Sequence, residues 1–197
     1  MPVRVPRIDD FEFLPRRAAE AITEEFVARI PDLIHSLEQR VQGSGAPSWR
    51  ANFSKRSLLS LTQWLVPKLE PKWKRRMPDE LIGVFAEIGA YMGEMLRRSS
   101  PLLSWACHGD PRAANYNTPY VKWEPNYGFA AIQFCRNWGY RWMEGERLNP
   151  TLLDFYKRWH DEIPVLHSER LAEAVKVRRS VKGNASKGKN SRPRGRR

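Results

Sequence analysis

The stretch MPDELIGVFAEIGAYMGEMLRRSS, residues 77–100, carries the clearest helix signal in the chain. Pro78 suits the first turn of a helix, because its ring fixes the backbone angle that the turn requires. Acidic residues follow it near the positive end of the helix dipole, and Arg97 and Arg98 lie near the negative end. Large apolar residues recur between these ends at steps of three or four, which predicts one buried face. They are Leu81, Phe85, Ile88, Met92 and either Met95 or Leu96.

Three glycines, Gly83, Gly89 and Gly93, lie within this helix. A glycine in a helix interior is about 1 kcal/mol less favourable than alanine, so three of them require a compensating contact. Glycine has no Cβ atom and lets a second backbone come close. We therefore expect this helix to pack tightly against a neighbouring element.

Two helical regions precede it in the sequence. From Ala18 to about Val41 an apolar stripe is interrupted by Pro31, which removes a backbone donor. This predicts a kink, or two helices that meet around residues 30–32. A further helix follows Ser54, whose side chain suits the N-cap position.

The segments LLSWACH (102–108) and PYVKW (119–123) are short and rich in residues that favour strands. They predict an antiparallel pair, with a third short strand that the sequence does not locate. The region after Asn126 fits a helix capped by that residue, although residues 129–134 could form a strand. Further helices are expected after Asn149 and Ser168. The expected fold class is α+β: a mostly helical single domain with a small antiparallel β-sheet and a disordered basic tail.

Charge divides the chain into an extended arm (1–17), a globular domain (18–175) and a basic tail (176–197). The net charge is +12, yet residues 1–175 hold 24 Lys or Arg against 22 Asp or Glu. The tail contains ten cations and no acid, and its glycine and serine content predicts disorder. Such a chain binds nucleic acid with little sequence preference, unless it is only a solubilising end. Its cations are Lys176, Arg178, Arg179, Lys182, Lys187, Lys189, Arg192, Arg194, Arg196 and Arg197.

Several functional classes are disfavoured by the sequence. The first residues lack the apolar core of a signal peptide, and the chain has no apolar run of about 18 residues. We expect a cytoplasmic protein without a membrane partner, in which Cys107 and Cys135 are reduced thiols. Common phosphate-binding, dinucleotide, zinc-protease and serine-hydrolase motifs are missing from the sequence. No cofactor and no catalytic residue is assigned.

Cys107, His108 and Asp110 contain the residue types of a nucleophile, a base and an orienting carboxylate. Adjacent residues of a strand point to opposite faces, so a core cysteine beside a surface histidine is the favoured interpretation. A zinc site from Cys107, His108, Cys135 and either His160 or His167 has suitable atoms, but it lacks the close paired spacing of structural zinc sites. We therefore predict no metal.

Five residues are candidates for ligand or partner binding: Tyr91, Glu94, Arg136, Trp138 and Arg141. Glu94 is expected to form a surface ion pair with Arg97 or Arg98, and the alternative places it with Tyr91 in a ligand cleft. Cations and aromatic residues alternate around Trp138, a composition that suits base stacking or a protein interface. Ordinary helix amphipathicity, with the tryptophans in the core, explains the same spacing.

The string G-x-Y-x-G-E at residues 89–94, with Trp105 and the later LLDFYKRW (152–159), resembles an uncharacterised domain family found mostly in actinobacteria. The resemblance covers roughly residues 57–161. It implies a compact α+β domain and brings no activity or catalytic residue. Some similar sequences lie near toxin and immunity genes.

Together these features predict a non-catalytic binding domain with an unknown protein partner, and a tail that adds non-specific nucleic-acid affinity. One alternative is an immunity or antitoxin protein that binds a toxin. The other is an enzyme of unknown reaction with Glu94, Tyr91 or His108 in a cleft.

Overall fold

The computed structural model describes residues 11, 13–69, 78–124, 127–146 and 151–161. The chain forms two units, Met1–Trp159 and His160–Arg197, and only residues 160 and 161 of the second are described. The helices are α1 (Arg16–Ala28), α2 (Ile30–Gly43), α3 (Lys55–Leu65), α4 (Asp79–Ser99), α5 (Ala131–Met143) and α6 (152–161). A 3-10 turn, Val66–Lys68, follows α3, and the strands are β1 (Ser104–Cys107), β2 (Pro119–Glu124) and β3 (Tyr127–Phe129). The basic tail and the helix expected after Ser168 lie outside the described residues.

The fold is α+β and mostly helical, as the sequence predicts, with one small antiparallel sheet ordered β1-β2-β3. Trp105 of β1 lies opposite Val121 of β2, and Val121 lies opposite Phe129 of β3. β3 is the third strand that the sequence did not locate. It occupies the region where a helix capped by Asn126 was expected, so that cap is wrong: α5 begins at Ala131 after Ala130, which makes no side-chain cap.

Helix α4 contacts α2 as well as α5, and it carries the largest share of fully buried side chains, including Phe85, Ile88 and Met92. The expected close packing is confirmed at Gly89, where an added Cβ atom would lie 2.5 Å from the Cα atom of Ile132 in α5. The expectation is wrong at Gly83, because a Cβ atom there would meet nothing within 4 Å.

Gly93 meets the sheet instead of a helix backbone. A Cβ atom there would lie 2.2 Å from the indole ring of Trp105 and 3.2 Å from the side chain of Ala131. Because real Cβ atoms do not come this close, glycine at this position is what lets the ring lie against the helix. Gly89 and Gly93 thus set the spacing of α4 from both α5 and β1.

The amino-terminal helices follow their sequence signals. The stripe around Pro31 is two helices that separate at Arg29, and Pro31 lies in the first turn of α2. Ser54 caps α3 as predicted, accepting a hydrogen bond from the Ser57 amide at 3.1 Å. Asn149 lies outside the described residues. Thr151, directly before α6, accepts a hydrogen bond from the Asp154 amide and donates one to the Asp154 carboxylate. The N-cap of α6 is therefore Thr151, two residues after the predicted Asn149.

Arg16 and Asn117 join α1 to the end of the sheet. Arg16 donates to the carbonyl oxygens of Cys107 and His108 and pairs with Glu20. Asn117 adopts a positive φ of 62° and donates to the carbonyl oxygen of Leu14 at 2.9 Å. None of the described helices has the length and apolar character needed to cross a membrane.

Candidate functional site

Glu94 lies at the centre of a polar cluster on α4. Arg97 donates to both carboxylate oxygens at 2.8 and 2.7 Å, and Arg98 donates a further bond at 2.8 Å. The indole N–H of Trp105 approaches the same carboxylate at 3.4 Å. The predicted pairing is confirmed, but its surface location is wrong, since Glu94 is only 7% exposed. The ring of Trp105, admitted by Gly93, covers the carboxylate from the sheet side.

The cluster keeps Glu94 ionised. Burial raises the pKa of this carboxyl group, but the hydrogen bonds from Arg97 and Arg98 outweigh it and lower the pKa from 4.5 to about 2. A carboxylate with so low a pKa and three donors already bound is a poor general base. Its geometry suits a structural role.

Tyr91 is fully buried and fixes the loop that precedes α3. Its hydroxyl accepts a hydrogen bond from the amide of Phe53 at 2.9 Å and lies 2.6 Å from the hydroxyl of Ser57. Phe53 has a positive φ of 57°, which is unfavourable for a bulky residue and must be held by its surroundings. The guanidinium of Arg98 lies over the Phe53 ring at 3.8 Å and supplies the second support.

The three candidates on α5 differ in exposure. Trp138 is buried, at 3% exposure, and its ring lies 5.6 Å from that of Trp142, in line with the core interpretation. Arg141 is exposed and pairs with Glu146 at 2.6 Å. Arg136 lies with its guanidinium 5.7 Å from the ring of Tyr140. None of the three lines either of the two clefts described below.

The Cys107–His108 pair shows no sign of activation. The sequence placed the cysteine in the core and the histidine on the surface, and this is wrong. His108 is 4% exposed and its ring packs at a tilt against that of Tyr120, with ring centroids 4.8 Å apart, while Cys107 is half-buried. Partial burial raises the pKa of the Cys107 thiol, so it resists ionisation. Asp110, the carboxylate of the predicted trio, forms an ion pair with Arg112 at 3.1 Å.

Cys135 lies fully buried beside Met92, and burial raises the pKa of its thiol. No three potential metal ligands meet anywhere in the part of the chain that the structure describes. His167, one of the histidines considered for zinc, lies outside that part. A groove of about 410 Å³ runs between α1 and β1, lined by Cys107 together with Glu20, Glu24 and Trp105.

A cleft of about 660 Å³ between the α2–α3 loop and α3 was not predicted from the sequence. Most of its lining residues are polar or cationic, Trp49 and Trp64 are its large apolar members, and no carboxylate occurs among them. The polar members are Ser48, Arg50, Asn52, Ser54, Arg56, Ser57, Ser60 and Gln63. Tyr91 bonds the backbone of Phe53, between Asn52 and Ser54, so α4 holds the rim of this cleft in place.

A partly exposed group of aromatic rings spans β2, β3, α5 and α6. Trp159 lies 5.5 Å from Trp123 and 5.3 Å from Phe129, while Phe134 lies 4.3 Å from Phe155. Tyr127 lies 5.5 Å from Trp123 and is 48% exposed. We call these six residues the aromatic cluster. It stands outside the five candidate positions chosen from the sequence.

Comparison of the chain with protein-family models, with curated proteins and with solved structures gives no match. The resemblance of the α4 string to an actinobacterial domain family therefore stays a prediction.

The polar cluster at Glu94 predicts a stability that depends on pH. Because the folded-state pKa of Glu94 is lowered, its contribution is complete above about pH 4.5 and is lost as the pH falls towards 2. Glu94→Gln should lower the free energy of unfolding at pH 7 by about 2 kcal/mol, measured by urea denaturation. The difference from wild type should shrink between pH 4.5 and 2. Glu24→Gln, an exposed change on α1, serves as the control, and equal stability of both variants at pH 7 would contradict the structural role.

Proposed function

We propose that the protein is a non-catalytic binding domain that contacts another protein through its folded body and binds nucleic acid non-specifically through its basic tail. The groups with catalytic potential support this view. Glu94 is held by Arg97 and Arg98, and the pKa of the Cys107 thiol is raised. Because these groups stabilise the fold, we expect exposed side chains to bind the partner.

The aromatic cluster is the observation that carries the protein-binding part. Aromatic residues that expose part of their rings are enriched in protein interfaces, where they supply large contact areas at small entropic cost. Tyr127 is half exposed at one end of the cluster, and Phe134, Phe155 and Trp159 are partly exposed. Lys157, on the same helix as Phe155, is exposed and could complete a polar rim.

The tail sequence carries the nucleic-acid part. Its ten cations have no acidic neighbour between residues 176 and 197, so they attract phosphates without internal competition. Each phosphate contact releases counterions and steepens the salt dependence of binding. The interaction requires no defined structure and no base contacts.

The aromatic cluster gives one prediction. Tyr127→Ala should weaken retention of at least one protein from a lysate of the source cells by about tenfold, because an interface tyrosine commonly contributes more than 1 kcal/mol. Retention on the immobilised full chain is measured by quantitative mass spectrometry. Phe13→Ala is the matched control, since Phe13 is 81% exposed and lies outside the cluster. The protein-binding part fails when wild type retains nothing, or when all three chains retain the same proteins equally.

The tail gives a second prediction. Replacement of its ten cations by glutamine in the full-length chain should reduce affinity for a mixed-sequence 20-base-pair DNA at least tenfold at 100 mM salt, with a shallower slope of log K against log salt. Fluorescence anisotropy measures both quantities. A chain with the same tail residues in shuffled order should bind like wild type. Unchanged affinity after neutralisation would refute the tail's role.

A further inference from the structure

We infer that the cleft between the α2–α3 loop and α3 binds the sugar–phosphate backbone of a nucleic acid. This inference deepens the nucleic-acid part of the proposed function and rests on it. It adds a contact between nucleic acid and the folded body to the contact made by the tail. Arginine guanidinium groups bind phosphate oxygens through paired donors, and serine, asparagine and glutamine side chains contact phosphate and sugar.

Positive charge is concentrated in the part of the sequence that supplies this cleft. Residues 44–76 contain eight Lys or Arg and a single Glu, whereas the rest of residues 1–175 holds 16 cations against 21 acids. The near-neutral body is therefore the average of one strongly basic segment and an acidic remainder. From Ser44 to Leu69, all of it described, the sequence has no Asp or Glu. The cations there are Arg50, Lys55, Arg56 and Lys68.

The cations at the cleft are only weakly neutralised. Arg50 donates to the carbonyl oxygens of Pro47 and Trp49, and its ion-pair distance to Glu38 is a long 3.6 Å. Arg56 is exposed and, within the described chain, forms neither a hydrogen bond nor an ion pair. An exposed guanidinium group beside a cleft without carboxylates is free to bind an anion.

The first turn of α3 has the opposite of the usual charge preference. Lys55 and Arg56 lie at the positive end of the helix dipole, where acidic residues are favoured and none occurs. The helix itself gains nothing from this arrangement. The site does not depend on free backbone amides, because the Ser57 amide already donates to the Ser54 side chain. A bound anion would relieve the repulsion through the side chains.

Neutral donors continue from Arg56 along the same face of α3. Ser60 and Gln63 follow it at helical steps of four and three, so the three side chains span about 10 Å. Lys68 lies beyond them, with its ammonium 5.0 Å from the ring of Trp64. A path of this length, in a cleft much larger than one phosphate ion, fits a short stretch of repeating polyanion.

Other phosphate-bearing partners fit this site less well. A membrane surface is flat, whereas Arg50 and Arg56 line a concavity, and Leu59 at 39% exposure is the only large exposed apolar side chain of α3. A phosphopeptide presents isolated phosphates, whereas the basic segment extends along the helix and through Lys68. The tail favours the same class of ligand, since a chain with many cations binds best to a continuous polyanion.

Two conservative substitutions test the cleft in the full-length chain. Arg56→Gln should reduce the slope of log K against log salt by about 1 for 20-base-pair DNA, since one phosphate contact is lost. Gln63→Glu, which places a negative charge in the cleft without a change of size, should weaken binding about five- to tenfold at 100 mM salt. Both positions are exposed, so both variants should unfold at the wild-type temperature.

Matched controls change the same charges elsewhere. Arg17→Gln and Gln39→Glu alter exposed residues that do not line the cleft, and each should leave the binding of DNA close to wild type. If the cleft variants behave like these controls, the inference is overturned.

The same substitutions in the tail-neutralised chain separate this inference from the proposed function. With neutralised tails, the intact cleft should still bind DNA at 50 mM salt, and Arg56→Gln should weaken that binding. If neutralisation of the tail abolishes all DNA binding, the proposed cleft site is refuted and the proposed role of the tail is supported. If the wild-type and tail-neutralised chains bind DNA equally and Arg56→Gln weakens that binding, the proposed role of the tail is refuted and the cleft site is supported. Equal dependence on Arg56 with phosphatidylserine vesicles or a phosphoserine peptide would overturn the assignment to nucleic acid.

Discussion

The close approach of α4 to α5 at Gly89 is the contact on which the rest of the structure depends. Only a residue without a Cβ atom lets the α4 backbone come so near to Ile132. One turn later, Gly93 admits the ring of Trp105, which brings the sheet against the same helix. Helix α4 is therefore packed against α5 and the sheet along one side while its other side contacts α2.

This packing fixes the polar groups of α4 and, through them, the cleft. Trp105 covers Glu94, and Glu94 binds Arg98, whose guanidinium lies over Phe53. Tyr91 bonds the amide of the same residue. The G-x-Y-x-G-E string thus affects the cleft indirectly. Its side chains hold the loop from which Asn52 and Ser54 line the cleft. The cationic side chains themselves come from α3 and the loop, outside the string.

Local signals in the sequence predicted much of the fold. The Ser54 cap, the break at Pro31, the extent of α4 and the pairing of β1 with β2 all follow from short-range chemistry. The position of β3 was not predicted because three residues are too few to show a periodic pattern. Glu94 and His108 are contacted by Trp105 and Tyr120, which belong to other elements of the fold, so the helix or strand pattern around each residue does not reveal its burial. The cleft escaped because the charge of residues 1–175 was averaged, whereas a window over residues 44–76 isolates its basic segment.

Two alanine substitutions in α4 test the importance of the Gly89 contact, compared through the free energy of unfolding in urea at pH 7. Gly83→Ala meets open space, so it should leave stability unchanged or raise it by up to about 1 kcal/mol through helix propensity. Gly89→Ala should lower stability by about 1–3 kcal/mol despite the same gain, because the methyl group overlaps the α5 backbone. A Gly89→Ala protein at least as stable as wild type would contradict the central role of this contact.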